Sequence, residues 1–164
     1  MQIRPMKLED IEQVIAMENK TWDNFNTPAS LPAANKHKII QAFQNHSHYL
    51  VAEENGVILG VLDYHAYYPF PSARHVVSFI IAVDKDTQGQ GIGHSLIQAF
   101  FTVAKSDNYK KVVIHVLSSN KNACRFYENM GFTLEATLKN QFYLNGTYVD
   151  DLIYSYYLEE IHAK

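Results

Sequence analysis

The sequence predicts an α/β fold: a mixed, mostly antiparallel central sheet with one parallel pair beside a glycine-rich segment, flanked by about four helices. Three features predict it. Asn55-Gly56 and Asn145-Gly146 each stand between strand-like runs, the signature of tight antiparallel hairpins. The apolar run Val76 to Val83 passes through a glycine-rich stretch into an amphipathic helix. Apolar residues at helical spacing recur between the strands. The 164 residues show no repeat, low-complexity tract or linker and read as a single domain, 1–164, long enough for one full core.

Taken in order, Ile3 begins a short strand that stops at Pro5, and Ile11, Val14, Ile15 and Glu18 mark a helix over residues 9–20. Trp22 to Pro32 is a loop rich in Pro, Asn, Thr and Ser. Pro32 suits the first turn of a second helix that Ile39, Ile40 and Phe43 continue. Tyr49 to Glu54 and Val57 to Tyr64 form the first hairpin, and Pro69 and Pro71 then break the chain. Val76 to Val83 reads as a strand buried on both faces. The helix after the glycines carries the stripe Ile92, Leu96, Ala99, Phe100 and Val103. Lys111 to Leu117 is a strand and Asn120 to Met130 a helix, with Gly131 at the place of a C-terminal glycine. Phe142 to Leu158 closes the chain as the second hairpin, giving the order β-α-α-β-β-β-α-β-α-β-β.

Composition narrows the function. A net charge of −3 argues against nucleic acid as the main partner, because phosphate contacts need a basic surface. The single cysteine, Cys124, allows no internal disulfide and fits a reducing compartment. The N-terminus has no apolar core of a signal peptide, and the run at Val76 to Val83 is far shorter than the roughly 20 residues that span a bilayer. The expectation is a cytoplasmic protein with neither a membrane nor a nucleic-acid partner. No histidine or carboxylate spacing suggests a metal site.

Gln88-Gly89-Gln90-Gly91-Ile92-Gly93 lies between strand and helix. Glycines at alternate positions let the backbone turn tightly and approach a ligand, and the free N–H groups of the helix start form an anion site suited to a pyrophosphate. A dinucleotide fingerprint would need a glycine where His94 stands, and a Walker loop would need Gly-Lys-Ser/Thr. A merely tight strand–helix turn is the plainer reading.

Ile81-Ala82-Val83 followed by Gln88-Gly89-Gln90-Gly91-Ile92-Gly93 resembles the coenzyme motif of the GCN5-related N-acetyltransferases (the GNAT family). Asn120, Ala123, Tyr127, Glu128, Gly131 and Phe132 match the family's second motif, in the right order and at the right distance. The resemblance covers nearly the whole chain. It implies the GNAT fold and an acetyltransferase with acetyl-CoA as co-substrate and no metal. It further implies that main-chain N–H groups from Gln88 to Gly93, with His94 just inside the helix, bind the coenzyme pyrophosphate, and that the edge at Ile81, Ala82 and Val83 pairs with the pantetheine arm like an added strand. Asn120 would contact that arm or cap the last helix. Tyr127 would protonate the departing thiolate; its plainer reading is a core aromatic in the stripe Ala123, Phe126, Tyr127 and Met130.

The implied chemistry is direct attack of an amine on the thioester, with backbone N–H groups holding the developing oxyanion. The amine must be neutral, so a base is required. Many members carry a glutamate early in the central strand, where this chain has Val77. His75, His115, Asp63 and Asp150 are the remaining candidates, and the base stays open among them. Cys124 reads as packing, and Lys85, Lys121 and Arg125 as surface residues within reach of phosphates.

The acceptor expected is a small-molecule amine or a peptide N-terminus, framed by Trp22 to Pro32, Tyr67 to Arg74 and the Tyr143 hairpin. A non-catalytic acyl-CoA-binding sensor or interaction domain is the alternative. Oligomeric state, a homodimer included, is left open.

Overall fold

The structure, a computed structural model, describes residues 1–159. Among these residues are seven strands, β1 (Gln2–Pro5), β2 (His48–Glu54), β3 (Val57–Ala66), β4 (Val76–Val83), β5 (Lys111–Leu117), β6 (Thr133–Leu144) and β7 (Thr147–Tyr157). They form one sheet in the order β1-β2-β3-β4-β5-β7-β6. Every neighbouring pair is antiparallel except β4 and β5, which run parallel. Among the described residues four α-helices flank the sheet: α1 (Ile11–Thr21), α2 (Lys36–Gln44), α3 (Ile92–Ser106) and α4 (Lys121–Asn129). Mixed sheet, parallel pair and helices agree with the expected GNAT fold.

Strand alternation divides the core in two. Leu50, Leu62, Val77, Phe79, Val112 and Ile114 point to one face, where Leu96, Ile97 and Phe100 of α3 and Tyr127 of α4 cover them. Tyr49, Val51, Val61 and Ala82 point to the other and meet Ile11, Val14 and Met17 of α1 and Ile39 of α2. Arg4 clamps the start of α1 to β1, its guanidinium donating to both oxygens of buried Asp10 at 2.7 and 2.9 Å. No described helix is long and apolar enough to cross a membrane.

Three local expectations need correction. The second hairpin begins not at Phe142 but at Thr133, its first strand interrupted by register shifts between Leu134 and Ala136 and between Leu138 and Phe142 that break the alternation a strand would show in sequence. Pro32 lies outside α2, which begins at Lys36 because Asn35 caps it, its side chain accepting from the Lys38 N–H at 2.9 Å. β4 is not buried on both faces along its length: Val77 is fully buried, but Ile80 is 51% exposed. The reason is the separation of β4 from β5, which leaves the second half of the strand facing open space.

Candidate active site

β4 and β5 stand in register only at Val76–Lys111 and Val77–Val112, although both strands run on. Beyond that point they diverge around a cleft of about 810 Å³. Phe79, Ile80, Ile81 and Val83 line it from β4, and Ile114, His115, Val116 and Leu117 from β5. A strand whose neighbour has peeled away presents main-chain N–H and C=O groups that an extended ligand can pair with.

The glycine segment closes one end of this cleft. Gly89 and Gly91 both have a φ of +82°, a conformation other residues rarely adopt, and nothing lies within 4 Å of where a Cβ would stand. Gly91 caps α3 without a side-chain bond, and the first helical bond runs from the Ser95 N–H to its carbonyl. The N–H groups of Ile92, Gly93 and His94 therefore have no partner within the helix, an arrangement of main-chain donors that suits an anion. Main-chain donors beside two glycine positions kept clear of side chains fit a pyrophosphate group. Gly93 is small for a different reason: an added Cβ would meet Cζ of Phe126 at 3.3 Å, so it serves the contact between α3 and α4.

Ile81, Val83, Gln88, Gly89, Gly91, Ile92, Gly93, His94, Asn120 and Tyr127 all border the cleft. Two other residues singled out in the sequence turn their side chains elsewhere. Ala82 packs on the opposite face with Val61 and Met17, as alternation along a strand dictates, and the Gln90 side chain is exposed. Gln88 folds back, its amide nitrogen donating to the Val83 carbonyl at 3.3 Å. Asn120 caps α4, accepting from the Ala123 N–H at 3.1 Å, while bordering the cleft. Lys85 is paired with Asp23 at 3.1 Å, and Cys124 is a buried free thiol.

Tyr127 is fixed by the way α4 ends. Gly131 has a φ of +92°, which lets its N–H bond Glu128 and the Phe132 N–H bond Tyr127, the paired bonds of a Schellman motif. That turn drops Phe132 into the core edge-on to the Tyr127 ring, with centroids 5.5 Å apart. Phe79 and Phe126 pack against the same ring at 6.1 and 5.3 Å. Burial pushes the Tyr127 phenol well above its ordinary range.

The far end of the cleft is built by distant segments. Trp22, Asn26 and Pro28 of the loop after α1 and Phe142 of β6 line it. Loop and hairpin are joined where the Asn145 side chain donates to the Asn24 carbonyl at 2.9 Å. His115 projects here between two partners: Nδ1 lies 2.7 Å from Oδ2 of buried Asp151, and Nε2 lies 2.8 Å from the Tyr67 hydroxyl. Of the other candidate bases, His75 precedes β4 where the two parallel strands are still paired, its carbonyl accepting from the Lys111 N–H, and Asp150 is bound by Lys139 and the Asn140 N–H at 2.9 and 2.8 Å. Asp63 lies on β3, next to Ile80 in register. Near it stands half-buried Glu18 of α1, whose carboxyl is pushed up to about 7 by desolvation and by Asp63, against a hydrogen bond from Trp22.

Sequence reasoning missed Asp151 and the position of Glu18. Asp151 follows a candidate that was considered, and alternation in β7 would have shown that only one of the two neighbours can face His115. Glu18 stood inside an apolar stripe, where a carboxylate is itself a signal.

A model of the acetyltransferase (GNAT) family matches residues 11–132. The chain is similar to the L-amino acid N-acyltransferase MnaT of Escherichia coli, 29% identical over 54% of this chain and 52% of that protein. It is also similar to the L-methionine sulfoximine/L-methionine sulfone acetyltransferase of Salmonella typhimurium, 28% identical over 70% of this chain and 66% of the relative. The matched stretches thus span about half to two thirds of these curated relatives. Among solved structures, smu.2055 of Streptococcus mutans is 57% identical with a TM-score of 0.94, covering 97% of this chain and all of that one. The yncA protein of Salmonella typhimurium, solved with its cofactor acetyl-CoA, shares the fold at 22% identity and a TM-score of 0.87, covering 100% and 97%. With a family model over most of its length, the chain belongs to the GNAT acetyltransferase family.

Proposed function

We propose that the protein transfers an acetyl group from acetyl-CoA to a primary amine, that of a small molecule such as an amino acid or of a peptide N-terminus. The observation that carries this is the divergence of β4 from β5 beyond Val77 and Val112, next to the left-handed Gly89 and Gly91 at the start of α3. Such a cleft suits a long ligand with an amide-bearing arm and a phosphate group. Acetyl-CoA supplies the activated thioester. The edge at Ile81 to Val83 pairs with the arm, Asn120 orients it, and the N–H groups from Gln88 to His94 hold the pyrophosphate.

Tyr127 gives its proton to the leaving sulfur. Its raised phenol stays protonated across the working pH range, and a thiolate released into the same desolvated cleft is raised by the same cause, which narrows the mismatch between donor and acceptor. An amino-acid acceptor is supported by the activities named for the relatives from Escherichia coli and Salmonella. The acceptor enters between Trp22, Ile80 and Phe142, so apolar side chains on the substrate are favoured there.

Thiol release from acetyl-CoA measured across α-amino acids, polyamines and short peptides tests the reading. Turnover with at least one class is expected. Tight binding of acetyl-CoA without release to any amine would instead make the protein an acyl-CoA-binding module.

A further inference from the structure

Resting on this proposed function, we infer that Tyr67, His115 and Asp151 form a proton relay that takes the acceptor's proton. His115 and Asp151 face each other across β5 and β7, 36 residues apart in sequence, and both border the acceptor end of the cleft. Asp151 is only 5% exposed, and a carboxylate buried to that degree needs a donor. Its oxygen can only accept, so Nδ1 of His115 carries a hydrogen and Nε2 is the free lone pair. That lone pair receives the Tyr67 O–H at 2.8 Å, and the two rings lie nearly parallel, 20° apart. Both imidazole nitrogens are thus occupied. His115 borders the cleft, and a proton reaches its ring through the Tyr67 oxygen, which in donating to Nε2 keeps its own lone pairs for accepting.

An ammonium acceptor sheds two protons in becoming an amide. The first passes to the Tyr67 oxygen as the Tyr67 proton moves to Nε2 of His115, leaving an imidazolium paired with Asp151 that discharges to solvent. The nitrogen lone pair then forms the new C–N bond and the C–S bond breaks. The second proton leaves nitrogen to solvent and Tyr127, having given its proton to sulfur, takes one back from solvent, so that ammonium and thioester yield amide, thiol and one released proton. His115 and Tyr67 are the proton carriers, and Asp151 is a positioning residue.

The groups around the relay are consistent with this role. Tyr68 packs against Tyr67 with ring centroids 4.6 Å apart. On the same sheet face stand Asp63 and His65 of β3 and the Lys111–Glu135 pair of β5 and β6. Desolvation, with Tyr68 and Asp151 nearby, raises the Tyr67 phenol, so it releases a proton only as it receives one.

The test uses the full chain and an amine that the wild type acetylates. It measures kcat and KM over about pH 6 to 9, with acetyl-CoA affinity by calorimetry. His115→Gln should lower kcat by about 10²-fold or more, abolish the acidic limb of kcat/KM and leave acetyl-CoA affinity unchanged. Asp151→Asn should also lower kcat, because an amide partner no longer fixes the tautomer, and should displace the acidic limb. Tyr67→Phe should match the His115→Gln loss, and the double variant should fall no further than either single one. Wild-type kcat and an unchanged acidic limb in His115→Gln, or wild-type kcat in Tyr67→Phe, would overturn the relay. If Asp151→Asn fails to fold, the half-buried Tyr67 variant still decides. A wild type that binds acetyl-CoA but releases thiol to no amine overturns the proposed function and the relay together; an active wild type with unaffected variants overturns the relay alone.

Discussion

Val77 on β4 and Val112 on β5 are both fully buried and form the last registered pair of the two parallel strands. They are the vertex of the cleft. One step further along β4, the side chains divide between a core held by α3 and a wall that faces open space. Each proposed role depends on that divergence, because it leaves Ile81 and Val83, paired with β3 on one side, facing the cleft on the other instead of β5.

The glycine segment offers the cleanest separation of binding from folding. Gly91→Glu places a Cβ where no atom lies within 4 Å and carries a negative charge out from it. The strained φ costs about 1–2 kcal/mol, which a domain of this size survives. The protein should remain folded by circular dichroism and lose measurable acetyl-CoA binding in calorimetry. Retained affinity would remove this loop from the coenzyme site.

The end of α4 gives a prediction about how Tyr127 is held. Gly131→Ala forces a side chain onto a φ of +92° and within 3.3 Å of the Tyr156 ring. Gly146→Ala imposes similar strain at +77° in the β6–β7 turn, with nothing within 4 Å. Both should lower Tm by a few degrees, at about 1–2 kcal/mol each. Only Gly131→Ala should also reduce kcat, since it disturbs the turn that seats Phe132 on Tyr127. Equal kcat in the two variants would mean that this turn has no part in positioning the phenol.

Glu18 makes stability depend on pH in an unusual direction. Its carboxyl titrates near 4.5 when unfolded and at about 7 in the fold, so the native state binds the proton more tightly. The resulting stabilisation is complete below the unfolded value and is lost as pH rises from 4.5 through 7. Above that range a half-buried charge beside Asp63 costs about 2 kcal/mol, allowing for screening of a partly exposed group. Glu18→Gln keeps an oxygen for Trp22 and removes the charge. It should raise Tm at pH 8 and change it little at pH 5, as thermal melts at the two values would show. An equal shift at both would rule out charge burial as the cause.

Much of the fold was legible because it is written in local chemistry. Asn55-Gly56 and Asn145-Gly146 take the positive φ values that two-residue hairpin turns require. The glycines after Val83 open α3, and Gly131 closes α4. What could not be read is what the sheet brings together from afar. The run Val76 to Val83 looks uniformly buried, since nothing local records that β5 leaves after two registered pairs. His115 is one of four candidate bases in the sequence, and only the pairing of β5 with β7 sets Asp151 against it. Pro32 suited a helix start, but Asn35 supplies the cap that a helix needs and so decides where α2 begins.

Tyr127→Phe tests the central claim most directly. It removes one oxygen and keeps the ring that packs against Phe79, Phe126 and Phe132. The measurement is kcat for acetyl transfer by the variant, with Tm recorded on the same sample. The account predicts that kcat falls by about 10²-fold or more while Tm and acetyl-CoA affinity hold, because a positioned acid is lost and the packing is not. Wild-type kcat in a folded Tyr127→Phe protein would contradict it and leave Tyr127 a core aromatic.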